Sequence, residues 1–106
     1  MSVIIDAAEE GDDKQVRALI KSDPALIGFR TASGSTPLHC AISQRQLKVV
    51  KTLVELSADL NAPDDQGDTP LHAAAKSGTL TIARFLVQHG ANLHAVNSQE
   101  QTPLQL

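Results

Sequence analysis

Thr36-Pro37-Leu38-His39-Cys40-Ala41 and Thr69-Pro70-Leu71-His72-Ala73-Ala74 are two copies of one hexapeptide, and the second begins 33 residues after the first. A further step of 33 lands on Thr102-Pro103-Leu104. The same step links Leu47 with Leu80, Leu53 with Leu86, Val54 with Val87, Ala58 with Ala91, Leu60 with Leu93, Ala62 with Ala95 and Gln66 with Gln99. Self-similarity at a fixed period of this size marks a stacked-repeat architecture. The N-terminal segment carries a weaker copy. Ser2 stands for Thr69, Ala7-Ala8-Glu9-Glu10-Gly11 for Ala74-Ala75-Lys76-Ser77-Gly78, and Leu19-Ile20 for Leu86-Val87. These matches lie 67 residues apart, so the first unit holds one extra residue, expected near Gly28–Ala32.

Local chemistry predicts what each unit folds into. Thr36 and Thr69 offer hydroxyls that accept an orphan N–H at a helix start, and Pro37 and Pro70 then occupy the first helical position, where no N–H is missed. Short helices are expected near 37–44 and 70–77. Gly78 permits a sharp turn. Second helices follow near 47–56 and 80–88, with Leu80, Ile82, Ala83, Leu86 and Val87 at helical spacing. Gly90 supplies a left-handed stop, and Asp64-Asp65-Gln66-Gly67-Asp68 is a polar turn leading to the next Thr-Pro. One unit cannot hide its apolar face, whereas stacked neighbours can.

The Thr-Pro-Leu-His-x-Ala motif, the 33-residue period and Gly90-Ala91-Asn92-Leu93-His94-Ala95 resemble the ankyrin repeat family across essentially the whole chain. The resemblance implies an all-α solenoid of helix-turn-helix units joined by β-hairpin-like turns. Residues 1–106 are then one domain, with units at about 2–34, 35–67 and 68–100 and the opening of a fourth at 101–106. It also implies that His39 and His72 bond locally and tie turn to helix.

The chain departs from its own pattern in places. Arg45 stands where Gly78 does, Ser57 where Gly90 does, and Glu100 where Gly67 does. A side chain held at positive φ costs of the order of 1 kcal/mol, so local strain or a reshaped turn is expected. Asp13 and Gln15 replace Leu80 and Ile82, as suits an N-terminal cap with one wet face. At the other end Leu104-Gln105-Leu106 supplies no cap, and the outer side of the third unit is expected to lie open. The natural chain is expected to continue past Leu106; otherwise that face should recruit another copy or another protein.

Composition narrows the function. Two Phe and no Tyr or Trp leave a core of Leu, Ile, Val and Ala, and argue against a base-stacking surface. The formal charge of −3 is not the basic footprint of a nucleic-acid binder. Lys14, Arg17, Lys21, Arg45, Lys48, Lys51, Lys76 and Arg84 read as solvated helix faces. The single cysteine, Cys40, rules out an intrachain disulfide and reads as a small buried hydrophobe. No signal peptide and no run of roughly 20 apolar residues is visible, so an intracellular setting, cytoplasmic or nuclear, is expected, with no membrane contact.

No catalytic constellation emerges. His39 and Cys40 diverge as helix neighbours. His89 and His94 flank Gly90 without zinc-ligand spacing. Asp64, Asp65 and Asp68 lack the alternating ligands of a calcium loop and read as solvated turn residues. A Walker loop and a Gly-x-Gly-x-x-Gly are both lacking. Neither enzyme activity, metal nor cofactor is expected.

The resemblance implies a protein-binding module that works through turn tips and the exposed side of the first helices. Carried over to this sequence, the tips are Ala32, Ser33 and Ser35; Asp64, Asp65, Gln66 and Asp68; and Asn97, Ser98, Gln99 and Gln101. The helix positions are Ser43, Gln44, Lys76 and Ser77. An acidic central tip favours a partner segment with Lys or Arg. Two alternatives stand beside this: a targeting module of a larger enzyme or signalling protein, and a structural unit that self-associates through its open C-terminal face.

Overall fold

In the computed structural model, which describes residues 2–106, six helices form three antiparallel pairs: α1 (Val3–Glu10) with α2 (Asp13–Ser22), α3 (Pro37–Ser43) with α4 (Leu47–Glu55), and α5 (Pro70–Ser77) with α6 (Leu80–Gln88). Short 3-10 turns occupy Pro24–Gly28 and Pro103–Gln105. No strand occurs among the described residues. The first helices stack α1 on α3 on α5, and α2 lies against α4 in a second layer. The stack measures 37 × 26 × 20 Å.

Small side chains set the stacking distance. Ala7, Ala41 and Ala74 occupy the same place in successive units, and all are buried. Methyl groups there let three helices approach closely, while Ile4, Leu38 and Leu71 fill the adjacent layer. Leu53 and Leu86 seal the second helices onto this layer. Helix positions of the first two units lie 34 residues apart (Ser2 and Thr36, Gly11 and Arg45), whereas tip positions lie 33 apart (Thr31 and Asp64). The extra residue therefore sits between α2 and the first tip, in the stretch that opens with the 3-10 turn.

Thr36 and Thr69 cap their helices as their chemistry demands. Each hydroxyl accepts from the backbone N–H three residues on, at 3.3 Å in His39 and 3.5 Å in His72. The imidazole answers: Nδ1 of His39 accepts from the Thr36 N–H at 3.2 Å, and Nδ1 of His72 from the Thr69 N–H at 3.1 Å. The other ring nitrogen reaches into the next unit. Nε2 of His39 donates to the Asp68 carbonyl, and Nε2 of His72 to the Gln101 carbonyl, both at 2.8 Å. The histidines thus bond locally and also staple adjacent units. In the first unit Ile5 takes the equivalent place, and Ser2 caps α1 with a longer bond of 3.4 Å.

The three non-glycine residues in glycine positions keep the glycine conformation, with φ of 58° at Arg45, 74° at Ser57 and 60° at Glu100. Arg45 has compensation. Its guanidinium donates to the Ser77 carbonyl at 2.6 Å, while neighbouring Gln46 donates to the Glu9 carbonyl at 2.9 Å. One turn thereby caps the C-terminal ends of helices on both sides of it.

Candidate protein-binding surface

Each tip is a five-residue loop closed by backbone bonds of one pattern. Thr31 N–H donates to the Ser35 carbonyl, Asp64 to Asp68, and Asn97 to Gln101, at 2.9–3.0 Å. The first side chain of each loop holds the loop from inside. Asp64 Oδ1 accepts from the N–H groups of Gln66 and Asp68, and Asn97 Oδ1 from those of Gln99 and Gln101. Short polar side chains suit this work because they reach backbone two and four residues on. Thr31 makes one such bond, to Ser35 N–H at 3.2 Å.

The tips are also tied to one another. Asp65 N–H donates to the Ser33 carbonyl at 3.1 Å, and Ser98 N–H to the Gln66 carbonyl at 2.9 Å. This close approach accounts for Gly34 and Gly67. A Cβ on Gly67 would lie 2.9 Å from Ser98 N, and one on Gly34 would lie 2.9 Å from Asp65 N, besides the strain of φ near 78°. Arg30 adds a clamp, donating to the carbonyls of Gly34 and Pro63. The three loops form one ridge of fixed backbone.

This geometry sorts the expected contact residues. Ala32, Ser33, Asp65, Gln66, Ser98 and Gln99 stand outward and exposed, as do Ser43, Gln44 and Lys76 beside them. Ser35, Asp64, Ser77 and Gln101 are half-buried. Asn97 is buried and acts as a frame for the third loop.

Asp68 corrects the expectation of a solvated turn residue. It is 5% exposed, paired with the Lys76 ammonium and accepting from Asn97 Nδ2 at 2.9 Å. Burial pushes its carboxyl pKa up, but the Lys76 and Asn97 hydrogen bonds outweigh that and leave it below its ordinary value. A sequence cannot show that the fifth loop residue turns inward, because Ser35, Asp68 and Gln101 share nothing but polarity. The acidic tip is therefore reduced to Asp64 and Asp65, and Lys76 spends its charge on Asp68.

Other candidate groups are also accounted for. Cys40 is buried, and burial first, with the Glu9 charge second, pushes its thiol pKa up to about 11. Nδ1 of His89 donates to the Phe85 carbonyl at 2.8 Å, and its ring lies tilted against the Phe85 ring with centroids 4.2 Å apart. No group of three or more His, Cys, Asp or Glu among the described residues is placed to hold a metal ion, and no helix among them is long and apolar enough to cross a membrane.

Between α5, α6 and the last 3-10 turn lies a groove of about 530 Å³. Leu71, Ala74 and Ala83 line it, with Leu80 63% exposed at its side and Leu104 79% exposed at its rim.

A family profile described as ankyrin repeats in many copies matches the chain three times, over residues 4–54, 38–87 and 71–106. Among characterised proteins, the chain is similar to the serine/threonine-protein kinase VIK of Arabidopsis thaliana, 41% identical over 63 residues, which is 59% of the chain and 14% of that protein. It is also similar to two rice (Oryza sativa subsp. japonica) proteins named as probable E3 ubiquitin-protein ligases. XBOS33 is 37% identical over 55% of the chain and 11% of its own length, and XBOS32 is 34% identical over 55% and 12%. The matched region thus spans about an eighth of the length of these relatives.

Proposed function

The chain belongs to the ankyrin repeat family, whose members are generally protein-interaction modules without catalysis of their own, and from that premise we propose that it holds a partner protein along the tip ridge and the adjoining side of α3 and α5. The observation that carries this reading is the stitching of the three tips by inter-loop backbone bonds. A ridge already fixed loses little conformational entropy when a partner docks, so more of the contact energy appears as affinity. Ser33, Asp65, Gln66, Ser98 and Gln99 would be touched first, with Ser43, Gln44, Lys76 and Ser77 beside them. Asp64 and Asp65 favour a Lys or Arg of the partner facing the middle tip. Site-specific photocrosslinking tests this. A photoreactive residue at Gln66 or Ser98 should capture a protein that one at Lys48 does not, and the purified pair should bind more weakly after Asp65→Lys with Gln99→Ala. Equal capture of that same protein from both sides of the stack would refute the reading.

Two readings accompany it. The relatives are a kinase and two ubiquitin ligases of much greater length, which favours a targeting or regulatory role within a larger protein. The mass of the endogenous protein on an immunoblot decides that. The apolar groove at the end of the stack, with Leu80 and Leu104 exposed beside it, supports a reading of self-association, face to face with the same groove of a second copy. Light scattering over a hundredfold concentration range should then show mass rising to a dimer, and Leu80→Gln with Leu104→Gln should abolish the rise.

A further inference from the structure

Charge is unevenly divided between the two helix layers. Six of the nine cationic side chains lie on α2, α4 and α6, namely Lys14, Arg17, Lys21, Lys48, Lys51 and Arg84. Only two of the twelve acids, Asp13 and Glu55, share those helices. The second layer is cationic although the chain as a whole carries −3.

Repeat symmetry puts these cations in register. Arg17, Lys51 and Arg84 hold the same place in successive units and form a row across the stack. Arg17 spends its charge on Glu55, at 2.8 Å, which clamps α2 to α4. Lys51 and Arg84 are exposed and make no ion pair among the described residues. They border a groove of about 260 Å³ between α4 and α6, whose other walls are Leu47, Thr81, Phe85 and Gln88. Such a volume falls below the roughly 300–1,000 Å³ that encloses a small molecule, and suits one or two side chains of a longer ligand.

We propose that this groove is a second docking site, taken by an acidic amphipathic helix of another protein lying across α4 and α6. Lys51 from α4 and Arg84 from α6 line this one groove and serve as its two anchors. On a helix, carboxylates at i and i+7 face one side about 10.5 Å apart. Apolar side chains at i+3 and i+4 fall between them on the same side, over Leu47 and Phe85. A bilayer or a duplex would extend past the row toward the acids that flank these helices, such as Asp12 and Asp23 at the two ends of α2, whereas screening over about 8–10 Å spares a short helix. This surface is separate from the tip ridge and stands or falls without it.

The test uses a fluorescein-labelled, hydrocarbon-stapled helical peptide with Glu at i and i+7 and Leu at i+3 and i+4, read by fluorescence anisotropy. Binding should weaken with added salt, fall at least tenfold for the Lys51→Glu/Arg84→Glu chain, and return when both peptide glutamates become lysine. Circular dichroism of the variant should match wild type, since both positions are exposed. Failure of the peptide to bind, binding indifferent to the charge reversal, or stronger binding to phosphatidylserine vesicles or to a single-stranded oligonucleotide would overturn the proposal.

Discussion

Replacing Asp68 by Ala should destabilise the chain far more than replacing Asp65, three residues away in the same loop. Asp68 is buried and receives a hydrogen bond from Asn97 Nδ2 at 2.9 Å. A bond to a charged group contributes about 1.5–3 kcal/mol. The Lys76 pair adds less, because the lysine side chain is 49% exposed and water competes for it; about 0.5 kcal/mol is reasonable. Asn97 keeps a second acceptor in Gln101 Oε1 at 3.1 Å, so its amide is not wholly orphaned. The loss for Asp68→Ala is therefore about 2–3 kcal/mol. In a domain of this size each kcal/mol moves the midpoint by about 4–8 °C, so Tm should drop by roughly 10–20 °C. Asp65 is exposed, and Asp65→Ala should stay within about 0.5 kcal/mol. With no Trp or Tyr in the chain, far-ultraviolet circular dichroism is the assay, in thermal and urea melts. An Asp68→Ala midpoint within about 3 °C of wild type, or equal losses at the two positions, would refute the reasoning.

Acid should weaken the fold in two stages. His39 is held neutral by burial, the largest influence, and its pKa lies below 6.5. The unfolded chain takes up that proton first, so this stabilisation is complete above 6.5 and drains as pH falls below it; melts of wild type and His39→Gln should differ in slope there. Asp68, with its pKa below the ordinary 3.8, contributes stability that is full above that value and lost as pH falls through its folded pKa; Asp68→Ala should flatten that limb. Thr69→Ala removes a cap and should cost roughly 0.5–2 kcal/mol in urea melts. Ser57→Gly and Glu100→Gly relieve positive φ at exposed sites, and each should raise stability by roughly 0.5 kcal/mol after the entropy of the added glycine is subtracted. A fall in either melt would contradict the strain.

The repeat, its helices and its caps were legible in the sequence because each depends on neighbours within a few residues. A Thr caps the N–H three residues on, Pro37 and Pro70 fit the first helical turn, and apolar spacing of three and four marks the buried side of α6 whatever lies beyond it. The direction of each tip side chain was not legible. Asp64, Asp65 and Asp68 are chemically alike in the sequence, yet one frames its loop, one faces solvent, and one is buried against Lys76 and Asn97. The second bond of His39, to a carbonyl 29 residues away, was equally hidden, as was the groove beside Lys51 and Arg84. Local hydrogen bonds and periodicity are properties of the chain. Which polar atom meets which partner is decided only when repeats stack, because stacking brings together groups separated by a whole unit.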